Sequence, residues 1–150
     1  MSKSSTDEVD TLHFMPHGKV EVIFSESDVI IYKAKGPFNS ELITALISVE
    51  QETLHEYKSR VKSWSEVVIF EKSCMILEDA LKNLELYLKT LKSNGKTAQA
   101  TAFVFLNEVE GCNMMMQKYQ QCYIRAGLKY RSFCNEKEAL QWAKSQLKTD

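Results

Sequence analysis

The chain has 150 residues, enough for one core that buries about two-thirds of the surface of the unfolded chain. Apolar residues make up 44% and charged residues 26%, which excludes a disordered chain. A net charge of −1 with both signs interspersed excludes a dedicated binder of nucleic-acid phosphates.

Residues 1 to 18 are read as a loose, polar N-terminal segment, and residues 19 to 150 as one α/β domain. The opening MSKSSTDEVDTLHF lacks the apolar core of a signal peptide, and no apolar run approaches the ~20 residues that cross a bilayer. A cytoplasmic protein with no membrane contact is the expectation. Cys74, Cys112, Cys122 and Cys134 have no CxxC spacing, so free and mostly buried thiols are expected.

Val20–Phe24 and Val29–Ala34 are rich in β-branched residues and flank the polar Ser25-Glu26-Ser27-Asp28, the pattern of a hairpin. Gly36-Pro37 stops the second strand, since proline offers no N–H to a ladder. Asn39 or Ser40 then caps a long helix whose stripe runs Ile43, Ile47, Glu50, Leu54, Tyr57, Val61, with Glu50 as a gap. Val67-Val68-Ile69-Phe70 reads as a strand buried on both faces.

Leu77, Leu81, Leu84, Leu88 and Leu91 mark a second helix that Asn94-Gly95 ends. Ala98 to Leu106 supplies another strand, centred on Phe103-Val104-Phe105. A third helix spans residues 112 to 126 and closes at Gly127; Leu128 to Phe133 alternates like an edge strand. Asn135, with Glu138 three residues on, forms a capping box for a last helix bearing Ala139, Leu140, Ala143 and Leu147. The order ββαβαβαβα predicts a mixed, mostly parallel sheet of about five strands with four helices.

This order, with GPFN opening the first helix and FCNEKEALQWAKSQL closing the chain, resembles the SpoIIAA-like fold and its wider STAS group, the anti-sigma factor antagonists. The resemblance covers about residues 19 to 147. It implies a bacterial, non-catalytic regulatory domain that acts by binding another protein. The antagonists carry Asp-Ser-Ser-Gly, with a serine phosphorylated by a partner kinase, where the third strand yields to the second helix. Glu78, Asp79, Ala80 and Leu81 stand there in this chain, so both serines and the glycine are missing. Asp79 would then be a fixed negative charge at a helix N-terminus.

The remaining candidates have bland alternatives. Ser73 is a phosphorylation site or a helix-capping hydroxyl. Cys74 and Cys134 fall at one end of the sheet, as a reactive pair or as structural thiols. His13 and His17 have an i, i+4 spacing, but Pro16 breaks the helix a metal would need, and His55 reads as a surface residue. Met114-Met115-Met116 spans more than one helix face and suits either a partner groove or core filling.

No catalytic group, cofactor or metal site is expected. The first functional reading is a protein-interaction surface built from Ser73, Glu78, Asp79, Met114, Met115 and Met116. The alternative is a carrier or sensor of a small apolar ligand held between the third helix and the sheet. An enzyme comes third, to be recognised by a deep pocket of convergent titratable groups. A homodimer through paired helices or the edge strand near Tyr130 is open.

Overall fold

A computed structural model describes residues 3–6, 16–25, 27–58 and 60–147. The strands are β1 (Lys3–Ser5), β2 (Lys19–Phe24), β3 (Val29–Lys35), β4 (Ser65–Glu71), β5 (Thr101–Val104) and β6 (Tyr130–Phe133). The helices are α1 (Ser40–Lys58), α2 (Glu78–Ser93), α3 (Cys112–Arg125) and α4 (Glu136–Ser145).

The six strands form one sheet in sequence order. β1, β2 and β3 pair antiparallel, whereas β3 through β6 run parallel. The mixed sheet and four helices match the sequence reading, with one strand more than expected. That strand is β1, which lies in the segment read as loose. The free edge of β2 supplies backbone partners for it, and Lys3 pairs with Glu21 across the junction.

Side chains alternate across the sheet as strand geometry requires. Ile30, Tyr32, Ala34, Val68, Phe70 and Phe103 face a core shared with α1, α2 and α3. Val29, Val67, Ile69, Ala102 and Val104 face the opposite side, where Ala139 and Ala143 of α4 are fully buried. Two alanines let the α4 backbone approach the sheet closely. The other face carries rings: Phe70 lies 5.2–5.3 Å from Phe103, Phe105 and Tyr119, centroid to centroid.

Caps set the helix limits. Asn39, not Ser40, caps α1: its Oδ1 accepts from the Leu42 N–H at 3.0 Å. Asn135 accepts from the Glu138 N–H at 2.9 Å and opens α4 as the capping box predicts. Val61 lies beyond the end of α1, half-buried against the core. β5 is shorter than Ala98–Leu106, because Gln99 and Ala100 bond to the start of β4 from outside the ladder.

The segment after β4 is laced to the end of β3. Gly36 donates its N–H to the Ser73 carbonyl at 2.9 Å, Phe38 to Met75 at 2.9 Å, and Leu77 returns one to Phe38 at 3.1 Å. A Cβ at Gly36 would collide with the Ser73 carbonyl oxygen and crowd the Phe38 ring. Gly36→Ala is therefore expected to lower unfolding stability by about 1–3 kcal/mol. Urea denaturation would show this as a lower midpoint with an unchanged slope.

Candidate functional site

β4 places residues 66, 68 and 70 on the face covered by α1, α2 and α3. Two of the three are apolar, as that face demands; the third is Glu66. The register sets Glu66 between Ile30 of β3 and Thr101 of β5, so its neighbours on both sides belong to the sheet interior. Above it, the buried stripe of α1 that carries Leu42, Ile43 and Leu46 continues to Glu50, which is 8% exposed. Two carboxyls thus enter one apolar layer from opposite sides.

Tyr32 links them. Its hydroxyl donates to Glu50 Oε1 at 2.6 Å and lies 3.4 Å from Glu66 Oε2. A phenol has one proton, and the shorter contact, to Glu50, takes the larger share of it. The Trp64 indole N–H reaches Glu66 Oε2 and the Thr101 hydroxyl reaches Oε1, both at 3.4 Å. The buried Tyr87 hydroxyl is close enough to Glu50 to feel its charge, but forms no complete hydrogen bond among the described residues.

Burial dominates the electrostatics. It pushes the Glu66 carboxyl up to about 8, and the neighbouring Glu50 charge adds to the rise. Burial also raises Glu50, while the Tyr32 and Tyr87 hydroxyls draw it partly back. Desolvation and then the two glutamates hold Tyr32 and Tyr123 well above the ordinary phenol range. At neutral pH the Glu50–Glu66 pair therefore retains a proton, and its titration belongs to the pair.

The pair borders a cavity of about 90 Å³ between the sheet and the three helices. Val20, Val68, Phe70, Leu84, Phe103 and Tyr119 supply much of its wall. Lys96 and Thr97, in the connection from α2 to β5, lie at its margin. A space of this size holds several waters or a compact organic group. The carboxyls stand near the beginnings of β4 and β5, at the end of the parallel strands opposite to the one where α/β folds usually bind ligands.

The residues singled out in the sequence do not converge here. Ser73 is buried; its hydroxyl donates to Glu110 Oε1 at 3.0 Å and accepts from the Met75 N–H at 3.1 Å. Glu78 and Asp79 are exposed in the first turn of α2, and the Ser40 hydroxyl donates to Asp79 at 3.0 Å. Met114 is 61% exposed, Met115 is 2% exposed and Met116 is half-buried. Ser73 and Met115 are thus removed from any accessible surface, leaving Glu78, Asp79 and Met114 on it.

Cys74 is buried and donates to the Glu110 carbonyl, and burial pushes its thiol up to about 12, against a reactive role. Cys134 is exposed. His17 and His55 are exposed, and His13 lies outside the described residues. Among the described residues no cluster suited to a metal ion occurs, and no helix is long and apolar enough to cross a membrane.

Sequence reasoning passed over Glu66 and treated Glu50 as a gap. The gap was the available signal, because a charge inside an otherwise apolar stripe must find partners. Glu66 gave less warning, standing at the polar margin of the Val67–Phe70 run.

No family model matches the chain, and no curated protein matches it. Among solved structures it is similar to the crystal structure of an uncharacterized protein of the DUF3478 family with a SpoIIAA-like fold, from Shewanella loihica PV-4. The TM-score is 0.53 at 14% identity, over 89% of this chain and 99% of that one. The likeness establishes a SpoIIAA-like fold, in agreement with the resemblance read from element order.

The carboxyl pair makes stability depend on pH. Unfolded Glu66 titrates near 4.5 and folded Glu66 near 8, so between these values the folded protein holds the extra proton. The associated stability is complete below about pH 4.5 and is lost as pH rises through about 8. Glu66→Gln is expected to flatten that decline, measured as the unfolding midpoint at a series of pH values. An equally steep decline in the variant would show that Glu66 does not carry the proton.

Proposed function

We propose that this protein binds a small, largely apolar molecule in the chamber between the sheet and α1, α2 and α3, as a carrier or sensor. The observation that carries the reading is the coincidence of a cavity of about 90 Å³ with the buried carboxyls Glu50 and Glu66 in its wall. An apolar lining with a few convergent polar groups is the usual composition of a ligand site. The rings supply contact area, and the pair supplies orientation.

Turnover would use the same pair as acid and base. The outcome separates the two readings: a carrier or sensor returns its ligand unchanged, and an enzyme does not. A protein-docking role for the α2–α3 side draws support from a different observation. Leu77, Leu86, Met114 and Ile124 are each 58–66% exposed, beside the acidic Glu78 and Asp79. The ligand reading is preferred because the cavity supplies both shape and polar partners.

Native mass spectrometry of the protein taken from cell extract, with a thermal-shift panel of small apolar compounds, tests the proposal. A ligand at about 100 times its Kd should add about 2.7 kcal/mol of stability. Val68→Phe, which places a ring in the chamber, should abolish the shift while the protein stays folded. A shift that survives this change would place the ligand elsewhere.

A further inference from the structure

The chamber's polar groups are unevenly matched. Four carboxyl oxygens converge there, with Tyr32, Trp64 and Thr101 as neighbouring donors and the Tyr87 hydroxyl close to Glu50. The Trp64 and Thr101 contacts are long at 3.4 Å, as is the second Tyr32 contact. Glu50 Oε1 has a short hydrogen bond to Tyr32, and the Tyr87 hydroxyl stands near the same carboxyl. What the site has in excess is acceptor capacity and, once a proton leaves, negative charge.

The groups that face the pair do not neutralise it. They are Tyr32 from β3, Tyr87 from α2, Tyr123 from α3, and Lys96 from the connection to β5. The tyrosines are neutral. Lys96 is exposed, so its ammonium is hydrated at the margin. Around the pair stand the rings of Tyr32, Phe70, Phe103, Tyr119 and Tyr123, whose faces attract cations.

We propose that the chamber selects a compact primary amine, held as its ammonium ion between Glu50 and Glu66 with its hydrocarbon part against the aromatic wall. This inference rests on the chamber being a ligand site. The ammonium brings three N–H donors to the under-occupied carboxyl oxygens and keeps all its protons. The proton held by the carboxyl pair leaves to solvent as the ammonium arrives, so binding and proton release are one event. An alcohol or hydrocarbon of the same shape would fill the space and leave the pair protonated.

Calorimetry on the full chain with benzylamine and benzyl alcohol, two probes of nearly equal shape, tests this. The amine should bind roughly tenfold or more tightly than the alcohol, the range of a hydrogen bond to a charged group. Titration near neutral pH in two buffers of different ionisation enthalpy should report about one proton released per amine and none for the alcohol. In the Glu50→Gln, Glu66→Gln double variant the preference should vanish while alcohol binding persists. The wild-type comparison stands by itself should that variant fail to fold. Alcohol binding as tight as amine binding would overturn the amine inference and leave the ligand chamber intact. No binding of either probe would overturn both.

Discussion

Glu50 and Glu66 meet inside a layer that is otherwise hydrocarbon and aromatic rings, and that meeting constrains the rest of the site. An isolated carboxylate in such a place is costly, and two of them repel each other as well. The protein limits the cost by keeping a proton on the pair and setting the Tyr32 hydroxyl between the two acids. That arrangement requires α1 to present Glu50 at the level of the second residue of β4. The helix is fixed upstream by Asn39, whose Oδ1 accepts from Leu42 and from the backbone N–H of His17. The cap and the acid pair thus hold one helix at two levels.

The two faces of the sheet solve different packing problems. On one side, alanines at positions 139 and 143 let a helix lie close against Val67, Ile69 and Val104. The opposite side accommodates Phe70, Phe103, Phe105 and Tyr119, packed in one core with residues of α1, α2 and α3. Rings pack well with one another at 5–6 Å but leave spaces at their margins. The cavity opens where this aromatic block gives way to the carboxyl pair. A polar pair and an imperfectly filled space in one layer have a common cause, since an apolar side chain filling that space would strand the acids.

Most of the architecture was legible because it rests on periodicity. Alternation gave the hairpin and the buried β4, steps of three and four gave the helices, and Asn135 with Glu138 marked the last one. β1 was not legible: three polar residues form a strand only because β2 has a free edge, a tertiary cause without a local signature. The site was legible only as an anomaly at Glu50. Its partner Glu66 is 16 residues further along the chain, and only the helix crossover brings the two together. Cys74 stands out in the sequence because parallel strands usually bind ligands at their C-terminal ends, and Ser73 as a capping or phosphorylated hydroxyl. Here those residues are buried in hydrogen bonds that stitch the connections together, and the convergent polar groups lie toward the other end.

The exposed N-terminus of α2 and the buried acid pair carry charge in different surroundings. A phosphorylated helix N-terminus signals through charge added at the surface. In this chain the α2 N-terminus carries Glu78 and Asp79. Glu50 and Glu66, whose carboxyls burial raises, lie inside, beneath α1 and beside Tyr87 of α2. Any event that removes the shared proton puts negative charge between the sheet and both helices, where the low dielectric makes it felt strongly. A cation placed there would be favoured by the same burial that makes the ionised pair costly.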